Sequence, residues 1–137
     1  MNGTKYADSD FGELTWDSES SAWVGHFHAA ELRIAALPRF MEASEPARHT
    51  FLRLNASEEA ARRYASTKLL ELYNTAWSTG TPINAPTFIE RLALATASID
   101  DDGSATFSYR DDDMFAGHYI VVSADPTGDF FDASLCG

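Results

Sequence analysis

The chain predicts an α+β fold: an antiparallel sheet, built from an N-terminal three-stranded meander and C-terminal hairpins, with a long central helix and short helices packed on one face. Three observations carry this expectation. Apolar and polar residues alternate with period two at both ends of the chain, a helical period fills the middle, and every break between the C-terminal runs is rich in Asp, Gly or Pro. Strands segregated from helices in the order βββ–αα(α)–ββββ make an α+β pattern, not the strand–helix alternation of a parallel sheet.

The meander comes first. Phe11–Trp16 (FGELTW) places Leu14 and Trp16 on one side, and Asp17–Ser21 is a polar turn. In Ala22–His28 (AWVGHFH), Trp23, Gly25 and Phe27 share one face while Val24, His26 and His28 share the other. Glu31–Leu37 (ELRIAAL) alternates again and Pro38 ends it. Ser44-Glu45-Pro46 reads as a cap with proline in the first turn, opening a short helix to about Leu52. Ser57-Glu58-Glu59 is expected to cap the main helix, with Ala61, Ala65, Leu69, Leu72, Tyr73 and Ala76 as its apolar stripe and Gly80 and Pro82 as its stop. Asn84-Ala85-Pro86 caps one more turn, Thr87–Arg91. Leu92–Ile99, Ser104–Arg110, Gly117–Ala124 and Asp129–Leu135 are then strands joined by hairpin turns.

With 137 residues, 45% hydrophobic and 12% aromatic, the chain is expected to form a single domain over 1–137, of which 1–10 is a flexible N-terminal segment. No apolar run is long enough for a signal or a membrane span, which predicts a cytoplasmic protein. The single cysteine, Cys136, has no partner for a disulfide or thiolate zinc site, and its expected place in a frayed tail suits no nucleophile. No P-loop, dinucleotide fingerprint or nucleophile elbow occurs, and no cofactor is implied. Lys68 sits at the edge of the helix stripe, its stem expected to lie over core residues.

Charge is the most informative property. The net −11 splits into −3 over residues 1–99 and −8 over 100–137, where nine Asp face only Arg110. Such an end repels nucleic acid and anionic membranes and attracts a basic protein surface. Asp100, Asp101, Asp102, Asp111, Asp112 and Asp113 are the candidate partner-binding residues.

Phe11-Gly12-Glu13-Leu14-Thr15-Trp16, Trp23-Val24-Gly25, Leu72-Tyr73-Asn74-Thr75-Ala76-Trp77 and Met114–Gly128 together resemble a family of small bacterial α+β domains of unknown function. Relatives of this general type are similar to immunity proteins, the acidic cytoplasmic partners that neutralise polymorphic toxins. The resemblance implies a non-enzymatic binding protein, and it assigns no catalytic residue.

The remaining polar motifs each admit a plain structural reading beside a chemical one. In Asp111–His118 (DDDMFAGH), His118 could serve as a base or metal ligand, but a turn and strand start with exposed aspartates explains the same residues. His26 and His28, two apart on a strand, suit two imidazoles on one metal, with His118, His49 or a carboxylate as the third ligand. That set, His26, His28 and His118, defines the alternative of a small histidine- or metal-dependent hydrolase. A structural or ligand-sensing accessory domain is a third reading. Asp100-Asp101-Asp102-Gly103 fails as a calcium loop, because glycine at the sixth position puts Ser98 first and Tyr109 twelfth. An Asp-Gly hairpin turn fits it better.

Overall fold

The computed structural model describes residues 3–37 and 42–137. Among the described residues nine strands and three α-helices follow in the order β1 Lys5–Asp8, β2 Gly12–Asp17, β3 Ala22–Phe27, β4 Ala30–Leu37, β5 Glu42–Ala43, α1 Glu45–Leu52, α2 Leu54–Leu72, α3 Ala85–Arg91, β6 Ala93–Ile99, β7 Ala105–Arg110, β8 Tyr119–Ala124 and β9 Phe130–Cys136. The main sheet has the spatial order β1-β2-β3-β4-β6-β7-β8-β9, and β5 pairs with the end of β4. The α+β expectation stands, with two corrections to the sheet. It is not wholly antiparallel: β4 and β6 run parallel, Glu31 opposite Thr96 and Ile34 opposite Ile99. The helical segment is long enough to carry the chain back to its starting edge, as a parallel crossover requires. The N-terminal unit also has a fourth strand, because Lys5–Asp8 lies within the segment expected to be flexible and pairs with β2, Lys5 opposite Thr15 and Asp8 opposite Gly12. The expected stop at Pro38 lies outside the described residues.

One sheet face carries the core. Leu14, Trp16, Trp23, Phe27, Leu32, Ile34, Ala97, Ile99, Phe107, Tyr109, Ile120 and Val122 are buried there against Ala47, Leu54, Ala61, Ala65, Leu69 and Phe88 of the helices. Trp16 and Trp23 lie opposite one another in β2 and β3 and pack edge to face with centroids 5.2 Å apart. Gly25 is the close approach between these strands, since a Cβ there would lie 2.7 Å from Leu14 Cδ2 and 3.2 Å from the Glu13 carbonyl.

Ser44 caps α1 as expected, accepting from the Ala47 amide at 3.2 Å. Ser57 does not cap α2. The helix starts at Leu54 with only Arg53 between it and α1, and Leu54 is buried to 1% exposure. Burying that leucine turns the chain into helix before the polar Ser57 is reached. The apolar stripe holds through Leu69 and again at Tyr73, which packs against the core, whereas Leu72 is 40% exposed and Ala76 is exposed. A π-helical turn over Tyr73–Trp77 accounts for Ala76, since its wider winding shifts the phase of the residues within and after it, whereas Leu72 precedes that turn and lies at the edge of the stripe. Asn84 caps α3 by accepting from Thr87 N at 3.0 Å. Lys68 lies with its Nζ 5.5 Å from the centroid of the Tyr64 ring.

Candidate functional site

The two aspartate runs lie at opposite ends of the sheet. Asp100–Ser104 is the β6–β7 turn, while Asp111 follows the far end of β7, six residues or about 20 Å away. They cannot form one surface.

At the first end the turn is docked on α1. Ser44 Oγ donates to the Asp101 carbonyl at 2.6 Å and the Thr50 hydroxyl donates to the Gly103 carbonyl. Gly103, at φ +92°, sits against Pro46, whose carbonyl would lie 3.1 Å from an added Cβ. Asp100, Asp101 and Asp102 remain exposed. Ser104, through its hydroxyl and then its amide, holds the Asp102 carboxyl below its ordinary range. Ala105 pairs with Ala124, so the β8–β9 turn, Asp125–Asp129, stands beside the β6–β7 turn. There the Thr127 hydroxyl and the Asp129 amide likewise lower the Asp125 carboxyl. The next strand adds Asp132 and Phe131. A bulge between Ser123 and Ala124 leaves Phe131 unopposed, and it is 64% exposed. Phe131 thus projects from an edge strand between Asp129 and Asp132.

Phe131, Asp125, Asp129 and Asp132 were not singled out from the sequence. A signal existed: in Phe130-Phe131 consecutive strand residues face opposite sides, so both rings cannot enter one core. Phe130 stacks on Tyr64 at 5.5 Å.

At the other end the three aspartates differ from the expectation that all are exposed. Asp111 is only 4% exposed, and its carboxylate accepts from the amides of Asp113 (3.0 Å), Phe115 (2.8 Å) and Gly117 (3.1 Å). It folds the loop instead of facing a partner. Asp112 forms an ion pair with Arg91 at 3.0 Å, and Asp113 is exposed. Phe115 is fully buried and holds the loop in the core, while His118 Nδ1 meets the Phe115 carbonyl. Trp77 packs edge to face on both Phe115 (5.5 Å) and His118 (5.9 Å), so the YNTAW and DMFAGH segments meet.

The three histidines are not brought together. His26 lies on the helix-free face of β3, level with Val121 of β8 across four strand spacings, about 19 Å away. His28 is not in the strand. It occupies the β3–β4 turn at φ 53°, and its Nε2 lies 2.9 Å from Asn55 Oδ1 on α2. His118 rests against Trp77 on the helix side. Among the described residues no group of three or more His, Cys, Asp or Glu is placed to hold a metal. Cys136 is exposed and free, but it sits in β9 opposite Tyr119 and not in a frayed tail.

Between α2 and the sheet lies a partly buried polar group. Glu58 accepts from Arg62 Nε at 2.6 Å and from the Tyr109 hydroxyl at 2.8 Å, and Arg62 Nη1 donates to the Leu92 carbonyl at 2.7 Å. Burial pushes the Tyr109 phenol far up, and the Glu58 charge adds to the shift.

The fold is an α+β domain whose sheet is helix-covered on one face and ends in an acidic pair of hairpins. The chain belongs to a bacterial family described as "Uncharacterized protein conserved in bacteria (DUF2262)", whose model matches residues 8–135. No curated protein and no solved structure gives a match. No helix among the described residues is long and apolar enough to cross a membrane.

Proposed function

We propose that this is a non-enzymatic binding domain of immunity type, acting in the cytoplasm and neutralising a basic protein partner such as a toxin. The observation that supports this most is the surface at the β6–β7 and β8–β9 turns. There the exposed Phe131 stands on an edge strand with Asp100, Asp101, Asp102, Asp125, Asp129 and Asp132 nearby and no Lys or Arg anywhere in residues 111–137. An apolar side chain on the same sheet end as turns of one sign of charge has the composition of a docking site: the ring gives a desolvated anchor, and the acids steer a cationic surface and fix its orientation. The same acids disfavour nucleic acid and anionic membranes. Asp112 and Asp113, at the opposite end, belong to a separate surface.

The test is affinity capture from the source cells at low and at high salt, with wild type compared against a variant carrying Asp100→Asn, Asp102→Asn and Phe131→Ala. Asparagine keeps the turn acceptors, so the hairpins survive the change. The expected result is one basic protein retained by wild type at low salt, released by high salt and missing from the variant. Equal capture by the variant would remove this surface from the interface. Co-expression of the captured protein then asks whether its toxicity is relieved.

A further inference from the structure

We propose that the cavity at the β3–β4 turn is a binding site for a small, uncharged, planar carboxamide, with His28, Glu58 and Arg62 as its polar contacts. This is independent of the protein partner, because the site lies at the opposite end of the sheet from the acidic hairpins.

Phe27 pairs with Ala30, so His28 and Ala29 form a two-residue turn, and His28 adopts φ 53°. Turns of this length place Gly, Asn or Asp in the left-handed region, because a Cβ there crowds the backbone. Ser21, Asp112, Asp113 and Ala116 adopt the same region, so the conformation alone marks no site, and it is the surroundings of the His28 ring that do. The imidazole is also oriented: Nε2 donates to Asn55 Oδ1 at 2.9 Å, and the ring packs edge to face on Phe27 at 4.5 Å. Among the described residues its Nδ1 meets no hydrogen-bond partner.

The ring lines a cavity of about 380 Å³ with Phe27, Leu94, Glu58 and Arg62. Glu58 and Arg62 side chains are 13% and 23% exposed. Their facing atoms, Glu58 Oε2 and Arg62 Nε, are spent on each other, and Arg62 Nη1 is spent on the carbonyls of Leu92 and Ile89. Among the described residues Glu58 Oε1 and Arg62 Nη2 meet no hydrogen-bond partner. The pair therefore offers an acceptor beside a donor at the rim of an apolar pocket. The complement is a donor beside an acceptor, as in the N–H and C=O of a primary amide. The pair is already neutral, so a ligand with net charge would leave one half-buried charge uncompensated, and an uncharged ligand is selected.

Three probes of one shape test this by NMR titration of the full chain: benzamide, benzoate and benzamidine, which are neutral, anionic and cationic. Benzamide is expected to shift the amides of His28, Ala29, Glu58 and Arg62 saturably, and to bind about tenfold or more tighter than either charged analogue. A His28→Asn variant keeps a residue that tolerates the left-handed turn, so its melting temperature is expected to stay within a few degrees of wild type while benzamide binding is lost. The site is overturned if benzamide shifts none of these amides at millimolar concentration. It is equally overturned if a charged analogue binds as well, or if His28→Asn melts well below wild type, which would make the ring a packing element.

Discussion

Asp8 shows how one carboxylate joins distant parts of the chain. It is 8% exposed, accepts from the amides of Asp10 (2.8 Å) and Phe11 (3.2 Å), and takes both terminal nitrogens of Arg48 at 2.9 and 3.0 Å. The Arg48 guanidinium also bonds Asp10 at 2.7 Å and stacks 4.8 Å from the centre of the Phe11 ring. The β1–β2 turn is thereby bolted to α1. Arg48 is the main cause that lowers the Asp8 carboxyl from 3.8 to about 2, and the two amides deepen the shift against the opposing effect of burial. Because the folded value lies below the unfolded one, the stabilisation is complete above about pH 4 and is lost as pH falls toward about 2. Asp8→Asn is expected to cost about 2 kcal/mol at neutral pH. Urea unfolding across pH should show the gap between variant and wild type closing in that acid window, and a gap constant with pH would place the loss elsewhere.

Among the elements, the β7–β8 loop depends on Asp111. Its carboxylate gathers three amides across Asp113–Gly117, and Asp112 and Asp113 reverse the chain at φ 50° and 60° to make that possible. Asp111→Ala would leave the buried Phe115 amide unsatisfied and free Phe115 and Trp77 to shift. A loss of about 2–4 kcal/mol is expected, with faster hydrogen exchange at Phe115 and Gly117. Unchanged exchange at those amides would show that Asp111 does not hold the loop. The sequence marked this segment as a turn but not which aspartate turns inward, because that choice is made by two left-handed residues that no composition rule reports. The α2 stripe was legible through Leu69 and at Tyr73; Leu72 lies at its edge, and Ala76 was misplaced because periodicity counting assumes one winding and the π turn changes it. By contrast, both short-helix caps, Ser44 and Asn84, were legible, because a cap is a local bond between residues three apart.

For the whole molecule, alternation and turn chemistry gave most of the strands, but the parallel joint between β4 and β6 has no local signal: it joins residues some sixty-five positions apart. Charge is the property that is global from the outset. With net −11 the folded chain repels itself, and five of the acids sit on two adjacent turns, Asp100, Asp101, Asp102, Asp125 and Asp129. Within such a patch, neighbours lie inside the Debye length of about 10 Å at 0.1 M salt, so added salt relieves repulsion in the native state more than in the expanded chain. The melting temperature should therefore rise by a few degrees between low and molar sodium chloride. Over the same range, association with a basic partner should weaken, chiefly through a slower on-rate, because screening removes the attraction that steers encounter. The two slopes have opposite signs and a common origin, so neutralising Asp100 and Asp102 as asparagines should flatten both. A variant that flattened the thermal slope yet left the association rate as salt-sensitive as before would separate the acidic hairpins from the partner's landing site.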